Sequence, residues 1–317
     1  MELTSVKTIK ELLLKYNAHP SKIMGQNFLI DKSTLNKIIQ TADLNTKDTI
    51  LEIGPGIGTL TEKLAENLSA QAGAGKIIAI EKDKAMAEIL KETLKDYKNV
   101  EIIKDDALRY NCQLKKYKVV ANIPYYLTSS IIRKFLEEEN KPETMILMVQ
   151  KEVAQRICAS IPKMSLLAVS VQFYAKTEIV SYVSKENFWP SPKVDSAIIK
   201  ITPNASGGAS GGQTSVKLFF QIVKAGFLQP RKQLRNNLSK LFMEDKKEIY
   251  PVKSAKDGSF RFADNSRVQT QNEAVLRKAE QFNRVNLWLL KNKINPMQRA
   301  QTLTVQDWIN LANNLNN

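Results

Sequence analysis

A glycine-rich turn within residues 50–61, ILEIGPGIGTLT, most restricts the possible folds of this chain. An apolar segment leads into three alternate glycines, Gly54, Gly56 and Gly58, and the residues that follow carry apolar side chains at helical spacing. The stretch predicts a β-strand, a tight turn and an α-helix. Such a turn lets a ligand approach the backbone closely, and the first N–H groups of the helix have no partner within it. Taken alone, the pattern is as typical of an ordinary strand-to-helix turn.

The residues around this turn indicate its ligand. The dinucleotide fingerprint G-x-G-x-x-G needs a glycine at position 59, where this chain has Thr59, so NAD is not favoured. Glu81 ends the next predicted strand, where a carboxylate would hold a pair of ribose hydroxyls, and Glu52 precedes the glycines. Two carboxylates argue against a pyrophosphate and favour a ligand with cationic character. S-adenosylmethionine, with its sulfonium, ammonium and ribose, fits this description.

A third predicted strand, VEIIKDDAL, ends in two aspartates. Because side chains alternate along a strand, we expect only one of Asp105 and Asp106 to face the pocket. Asp106 is the candidate to accept a hydrogen bond from an adenine amino group. Without the neighbouring Glu81, the same pair would be interpreted as helix caps or turn residues.

The segment Asn122-Ile123-Pro124-Tyr125 follows a fourth predicted strand and precedes a helix that begins near residue 128. Pro124 fixes the backbone and removes a donor, which leaves carbonyl groups free to accept hydrogen bonds. Asn122 adds an amide oxygen and Tyr125 a flat aromatic face. Together they suit a planar amine such as the exocyclic nitrogen of adenine. A proline turn with a core tyrosine is the structural alternative.

Two further segments are candidates for walls of the pocket. The aromatic loop that begins at Phe188, FWPSP, is rigid enough to form the second wall of a base-binding slot, although packing between domains explains it equally well. In GQNFLID, Asn27 is an amide available to a carboxylate or an ammonium group. Phe28 and Leu29 are first of all candidates to anchor the N-terminal helix to the core.

The charge of the chain indicates a polyanionic partner. Lys and Arg number 47 against 32 Asp and Glu, a formal net charge of +15, and nucleic acid leads the candidates. A basic surface that serves only solubility is the alternative, and a membrane surface is disfavoured because no basic amphipathic helix stands out. Arg231, Lys232 and Arg235, on a helix predicted at 231–240, suit phosphate contacts. A solvated helical face explains each of them nearly as well.

Cysteine and histidine usage argues against several classes of site. Cys112 and Cys158 lie far apart and outside metal-binding spacings, so we expect neither a disulfide framework nor a zinc site. His19 is the only histidine, which disfavours histidine-based catalysis or a histidine metal cluster. The first residues are too polar and too interrupted for the apolar core of a secretory leader, so we expect none, and no apolar run approaches membrane-spanning length. These features predict a cytoplasmic protein without a metal.

The length of 317 residues predicts about two domains. We place an α/β domain at 1–203, a Gly/Ser-rich linker or insertion at 204–215 and a helical domain at 216–317. In the first domain, LLAVSVQFYA is predicted to be a strand. In the second, helices are predicted near 273–292 and 304–314.

Taken together, the motifs resemble those of the ribosomal RNA adenine dimethyltransferase family, of the small-subunit (KsgA) type. The matching blocks, in the family's order, are GQNFLID at 25–31, EIGPGIGTLT at 52–61, IEKD at 80–83, DDAL at 105–108, NIPYYLTS at 122–129, QKEVAQRI at 150–157, FWPSPKVDSA at 188–197 and RKQLRNNL at 231–238. The resemblance covers nearly the whole chain. Two stretches depart from it: the loop at 159–167 is shorter, and the stretch at 244–285 is longer.

The resemblance implies a doubly wound, mostly parallel Rossmann-like methyltransferase sheet with one antiparallel strand, followed by a small all-helical RNA-binding domain. It implies a binding site for the cofactor S-adenosylmethionine, lined by Asn27, Leu29, Gly54, Glu81, Asp106 and Asn122. It also implies that Asn122, Pro124, Tyr125 and Phe188 serve the reaction at adenine, Tyr125 by stacking and Phe188 by completing the slot. The partner would be small-subunit rRNA in a pre-30S particle, and the enzyme a monomer.

Two other functions are compatible with parts of the sequence. A methyltransferase of the macrolide-resistance type, which acts on large-subunit (23S) rRNA, shares the glycine turn and NIPY. The block GQNF, the block RNNL and the LANNL tail favour the small-subunit type. A non-catalytic assembly factor on the same fold is the second alternative, against which the intact Asn122–Tyr125 motif and Glu81 argue.

Overall fold

Two units make up the chain. The computed structural model describes residues 1–21, 24–69, 75–204, 215–239, 241 and 266–315, with backbone only at 69 and 266–277. The first unit comprises Met1–Cys158 and Val171–Gly208, and the second comprises Ala159–Ser170 and Ala209–Asn317. Residues 205–214 of the predicted linker and 244–265 of the long stretch lie outside the described residues. Within the described ranges, no helix is long and apolar enough to cross a membrane.

Strands and helices follow one another through the first unit, and the second unit is helical where it is described. The strands are β1 (Phe28–Leu29), β2 (Thr49–Ile53), β3 (Lys76–Glu81), β4 (Val100–Lys104), β5 (Lys118–Asn122), β6 (Thr144–Gln150), β7 (Ala175–Val183), β8 (Phe188–Trp189) and β9 (Ser196–Pro203). The first seven helices along the chain are α1 (Val6–Lys15), α2 (Lys32–Ala42), α3 (Thr59–Ser69), α4 (Lys84–Thr93), α5 (Thr128–Glu137), α6 (Lys151–Ile157) and α7 (Leu166–Gln172). The later helices are α8 (Val216–Gly226), α9 (Leu234–Leu238), α10 (Ser266–Lys291) and α11 (Val305–Asn313).

A seven-stranded sheet organises the first unit, in the order β4-β3-β2-β5-β6-β9-β7. The strands from β4 to β6 pair in parallel, and β9 is antiparallel to both of its neighbours. Four consecutive residues of β3, from Ile77 to Ile80, are buried, which requires that both faces of the sheet be covered. The predicted mostly parallel, doubly wound sheet with one reversed strand is confirmed.

The strand order changes direction at β2. From β2 the chain proceeds through β3 to β4, and then returns to β5 on the other side of β2. In open α/β sheets, ligands bind beyond the carboxyl ends of the strands at such a switch point. The residues that follow β2, β3, β4 and β5 therefore meet at one edge of the sheet.

Helix caps hold the connections near this edge. Asp31 caps α2, since its side chain accepts a hydrogen bond from the backbone N–H of Thr34 at 2.7 Å. Asp83 accepts one from the backbone N–H of Ala85 at 2.8 Å and caps α4. Because Asp83 follows Glu81 so closely, this cap also fixes the course of the chain just beyond β3.

The predicted strand at LLAVSVQFYA is wrong over most of its length, because residues 166–172 form α7. Ala168, Val169 and Val171 are all buried. A short, continuously buried apolar run does not distinguish a strand from a helix by its period. The signal that was missed is Ser165, whose hydroxyl accepts a hydrogen bond from the backbone N–H of Ala168 at 3.0 Å, as a helix cap does.

The helix predicted at 231–240 is shorter than expected. α9 begins at Leu234, so Arg231 and Lys232 lie in the preceding turn, where both are exposed. Only Arg235 of the three basic residues is helical. Asn237, in the middle of RNNL, is buried and its side-chain amide donates to the carbonyls of Gly226 and Gln229 at 2.6 and 3.1 Å. This bonding ties α9 to the end of α8.

Close packing of α8 on α11 explains the glycine at the end of α8. Trp308 of α11 is fully buried, and its ring lies 5.6 Å from that of Phe227, centroid to centroid. A Cβ atom at Gly226 would lie 2.3 Å from Cη2 of Trp308. The close approach of the indole, rather than an unusual backbone conformation, therefore requires glycine here.

We expect Gly226→Ala to destabilise the protein. Overpacking of this kind lowers the free energy of unfolding by about 1–3 kcal/mol. The better helix propensity of alanine offsets at most about 1 kcal/mol of this loss. Urea unfolding should show a lower midpoint for Gly226→Ala and an unchanged midpoint for Lys224→Ala, an exposed position of the same helix. Equal midpoints for both variants would contradict the packing argument.

Candidate active site

A cleft opens at the carboxyl edge of the parallel strands and encloses about 1020 Å³ of free space, its open mouth included. The cleft is lined by every residue predicted for the cofactor: Asn27, Leu29, Gly54, Glu81, Asp106 and Asn122. It is also lined by the remaining residues predicted for the adenine: Pro124, Tyr125 and Phe188. All of them belong to the first unit.

The glycine turn brings distant segments together in this cleft. Gly54 and Gly56 have φ angles of 66° and 62°, in the left-handed region that favours glycine. A Cβ atom at Gly56 would lie 3.3 Å from the ring of Phe28, and one at Gly54 would lie 3.5 Å from Cδ of Pro124. The missing side chains thus allow the GQNF and NIPY segments to pack against the turn.

Glu81 is held by backbone donors on both carboxylate oxygens. Gly56 N–H donates to Oε2 at 3.0 Å and Asp83 N–H donates to Oε1 at 2.8 Å. Burial raises the pKa of the Glu81 carboxyl, while these two bonds oppose the rise. Each oxygen keeps a further lone pair, so the carboxylate can also accept from ligand hydroxyls.

Glu52 differs from Glu81 in its surroundings, although both lie beside the turn as predicted. Glu52 is only 1% exposed, and burial, with a smaller contribution from the nearby Glu81, raises the pKa of its carboxyl to about 8. Burial therefore favours the neutral form of this carboxyl in the free protein. Its Oε2 has no hydrogen-bond partner among the described residues.

Asp106 forms the edge of the cleft beyond β4. Its Oδ2 accepts from Nζ of Lys82 at 2.9 Å and its Oδ1 from the backbone N–H of Leu108 at 2.9 Å. The hydrogen bond from Lys82 lowers the pKa of Asp106, which keeps the carboxylate ionised. Lys82 itself also lines the cleft, a contact that sequence analysis missed although the residue lies within the IEKD block.

The expectation that only one of the two adjacent aspartates faces the pocket stays a prediction. Asp105 and Asp106 both line the cleft. Alternation holds only within a strand, and β4 ends at Lys104. Beyond that residue the chain turns, so both side chains can point to the same side.

The amide of Asn122 is oriented by a residue far away in the sequence. Its Nδ2 donates to the backbone carbonyl of Asn27 at 3.2 Å. The side chain of Asn27 is fixed in turn, since its own Nδ2 donates to the carbonyl of Gly25 at 3.1 Å. With the nitrogen of Asn122 engaged, Oδ1 is left as the acceptor that faces a ligand.

The backbone after Asn122 offers one carbonyl more readily than the other. Pro124 O accepts from the N–H of Leu127 at 2.9 Å, within a 3₁₀ turn that leads directly into α5. Among the described residues, Ile123 O has no such bond. The sequence predicted a free carbonyl at Ile123 or Pro124, and the geometry favours Ile123.

Tyr125 is half-buried in the 3₁₀ turn, and its phenol is 2.8 Å from Oγ of Ser196 at the start of β9. Burial raises the pKa of this phenol, so it stays protonated at neutral pH. Ser196 lies within the FWPSPKVDSA block, but no role was expected for it. Nothing in the spacing of two residues 71 positions apart indicates that they touch.

The aromatic loop is joined to the cofactor segment by a two-stranded ribbon. β8 pairs with β1, with Phe28 opposite Trp189 and Leu29 opposite Phe188. The rings of Phe28 and Trp189 stack at 6.5 Å. Phe188 is buried and lines the cleft. The ribbon thus connects a predicted cofactor wall to a predicted adenine wall.

The basic residues predicted for RNA lie in the other unit. Arg231, Lys232 and Arg235 are outside the residues that line the cleft. Nε of Arg235 donates to Oε1 of Gln233 at 3.1 Å. Their contact with phosphates remains a prediction.

Known proteins resemble the chain in sequence and fold. Residues 19–256 match the family described as "Ribosomal RNA adenine dimethylase". "Ribosomal RNA small subunit methyltransferase A" of Dehalococcoides mccartyi is 37% identical over 304 residues, which cover 94% of this chain and 89% of the relative. A dimethyladenosine transferase from Plasmodium falciparum aligns with a TM-score of 0.66 and 26% identity, over 90% of this chain and 95% of that one. The 23S rRNA methyltransferase ErmE, 24% identical, shares the fold with a TM-score of 0.65 over 92% and 100% of the two chains.

These similarities confirm the family resemblance that the motifs indicated. The family match extends over well more than half of the chain and includes each residue that forms the cleft. The Dehalococcoides mccartyi relative aligns over nearly the full length. The chain belongs to the ribosomal RNA adenine dimethylase family.

Proposed function

We propose that this chain uses S-adenosylmethionine to dimethylate N6 of two adjacent adenines near the 3′ end of small-subunit (16S) rRNA, during small-subunit biogenesis. The Asn122 amide is the observation that carries the proposal, because the Asn27 carbonyl holds its nitrogen and leaves its oxygen to receive an amino group. The family supports adenine as the target. The name of the relative from Dehalococcoides mccartyi supports the small subunit.

The residues of the cleft fit S-adenosylmethionine. Glu81 would accept from the ribose hydroxyls and Asp106 from the adenine amino group, with Asn27, Leu29 and Gly54 lining the remainder. Oε2 of Glu52 is a buried acceptor without a partner among the described residues, and a cationic ligand would favour its ionised form. When bound, the cofactor would supply a methyl group activated by its sulfonium.

Asn122 and Ile123 would prepare the nucleophile. The amino nitrogen of adenine is a poor nucleophile because its lone pair is delocalised into the ring. Oδ1 of Asn122 and the carbonyl of Ile123 would accept its two hydrogens and favour the geometry in which the lone pair is localised. Pro124 keeps this turn rigid. In-line attack would then form the bond between N6 and the methyl carbon as the sulfonium–carbon bond breaks, which leaves a neutral thioether. The methylated nitrogen is cationic and acidic and would release one proton to water, so no strong general base is needed.

Tyr125 and Phe188 would form the slot for the target base. Stacking on an aromatic side chain contributes about 1–3 kcal/mol per base, which offsets the cost of taking the adenine out of its helix or loop. Each cofactor molecule carries one transferable methyl group, so addition of a second requires both exchange of the cofactor between transfers and room for a monomethylated nitrogen.

The rest of the chain would bind the RNA. The net charge of +15 favours a polyanion, and Arg231, Lys232 and Arg235 are suited to phosphate contacts. In this proposal residues 1–203 form the methyltransferase domain and 216–317 the helical RNA-binding domain. The enzyme would act as a monomer on a pre-30S particle in the cytoplasm.

A direct test is the transfer of labelled methyl groups from S-adenosylmethionine to purified small-subunit particles and, separately, to large-subunit RNA, both from a strain that lacks the modification. We expect label only on the small-subunit particle, at paired adenines near the 3′ end of its RNA. Label confined to large-subunit RNA would instead indicate the macrolide-resistance type. Cofactor binding without any transfer would indicate an assembly factor.

Tyr125→Ala should slow methyl transfer by about 5- to 150-fold, the equivalent of one lost stacking contact. Cofactor affinity, measured by calorimetry, should stay nearly unchanged because the cofactor is assigned to other residues of the cleft. Tyr182→Ala is the matched control, since this exposed tyrosine of the same unit does not line the cleft. Unchanged transfer by Tyr125→Ala would rule out the stacking role.

Glu81→Gln should weaken cofactor binding by about 10- to 100-fold, because the amide nitrogen cannot accept from the backbone or from a ribose hydroxyl. Calorimetric titration with S-adenosylmethionine measures this effect. Glu88→Gln on α4, whose carboxylate pairs with Lys91 at the surface, is the control and should bind normally. Equal affinities for the two variants would mean that Glu81 only braces the glycine turn.

A further inference from the structure

Ser196 is a fully buried hydroxyl residue that the proposed reaction does not use. It is 0% exposed, and its Oγ lies 2.8 Å from the phenol of Tyr125. Tyr125 is the residue assigned to stack on the target adenine.

The position of Ser196 depends on the reversed direction of β9. Ser196 is the first residue of β9 and pairs with Gln150, the last residue of β6. An antiparallel strand thus begins at the edge where the parallel strands end, and a serine at its start lies at the same edge as Asn122. The reversed strand thus contributes the serine hydroxyl that bonds to the phenol of Tyr125.

The bond spans one intervening strand. Tyr125 follows β5, and β6 separates β5 from β9. Since neighbouring strands lie about 4.8 Å apart, β5 and β9 are about 10 Å apart. The side chain of Tyr125 therefore extends across the end of β6, held by the 3₁₀ turn at its Cα and by Ser196 at its hydroxyl.

The serine is the more rigid of the two partners. β9 is bonded on both sides, with Ser196 opposite Gln150 of β6 and Val183 of β7. The preceding Asp195 is bonded as well: its carbonyl accepts from the N–H of Lys151 at 3.0 Å. Tyr125, by contrast, lies outside the sheet in a short 3₁₀ turn. Because β9 is paired on both sides, the hydroxyl of Ser196 can hold the phenol end of the Tyr125 ring in a fixed position.

We infer that Ser196 is a positioning residue, which holds the Tyr125 ring in the plane that the target adenine needs for stacking. The inference rests on the proposed function of Tyr125. It assigns Ser196 to the methyl-transfer step rather than to cofactor binding, because Ser196 contacts the adenine slot and does not line the cleft. If Ser196 served only the packing of β9, its loss would lower stability and leave the rate of methyl transfer unchanged.

The decisive experiment compares wild type, Ser196→Ala, Tyr125→Phe and the double variant. Neutral hydrogen bonds of this kind correspond to about 3- to 10-fold in rate. Single-turnover transfer at saturating cofactor and particle should therefore be about 3- to 10-fold slower in Ser196→Ala, with unchanged cofactor affinity. Tyr125→Phe should be slowed by a similar factor. The double variant should be no slower than the slower single variant, since both changes remove the same bond.

Further slowing when Ser196→Ala is added to Tyr125→Phe would overturn the inference, as would a Ser196→Ala variant as fast as wild type. Ser181→Ala, which removes a hydroxyl from the neighbouring strand β7, is the matched control and should transfer normally. If Ser196→Ala fails to fold, Ser196→Thr keeps a hydroxyl on a β-branched side chain suited to a strand. The Ser196→Thr variant should keep more than half of the wild-type rate. If it folds normally but transfers methyl groups about 3- to 10-fold more slowly than wild type, as expected for Ser196→Ala, the inference fails.

A second measurement separates this inference from the proposed function. The ¹³Cζ resonance of Tyr125, identified by its absence in Tyr125→Phe, reports on the hydrogen bond of the phenol without any reaction. It should shift in Ser196→Ala and stay in place in Ser181→Ala. No shift would refute the bond itself. If the resonance shifts in Ser196→Ala but the wild-type protein transfers no methyl group, the proposed function is refuted and the contact stands.

Discussion

Parallel pairing of β2 with both β3 and β5 is the constraint on which the rest of the site depends. Because these strands run in the same direction, their carboxyl ends lie side by side. Because the chain leaves β2 on one side and returns on the other, no helix connection crosses between β2 and β5 at that edge. The cleft lies there, and the side chains that line it come from the ends of successive strands.

Within this frame, contacts between residues distant in sequence set the orientation of the reacting groups. Asn122 is a strand-end residue like many others until the carbonyl of Asn27, 95 positions away, binds its amide nitrogen. The same N-terminal segment pairs with β8, which brings Phe188 to the cleft. One short segment thus orients an acceptor and places an aromatic wall. A disturbance of GQNF would therefore affect both the cofactor and the adenine sides of the cleft.

Burial gives different properties to carboxylates that look alike in the sequence. Glu52 and Glu81 lie at the ends of neighbouring strands and both have a raised pKa. Glu81 has two backbone donors that stabilise its charge, whereas Glu52 has an oxygen without a partner among the described residues. Asp106, with Lys82 beside it, stays ionised. The anionic character expected of the pocket therefore rests more on Glu81 and Asp106 than on Glu52.

From its residues, the sequence by itself determined that the glycine turn, the carboxylates at strand ends and the compact NIPY segment belong to one site, because these are local signals. The reversed strand and the place of Leu29 in the cleft came from the family resemblance. Local signals failed at α7, whose apolar run fits a strand or a helix. The tertiary structure alone decided which atoms are free to act. The bond from Asn122 to Asn27, the bond from Tyr125 to Ser196 and the burial of Glu52 all join segments that only the folded sheet brings together, and no spacing along the chain encodes such contacts.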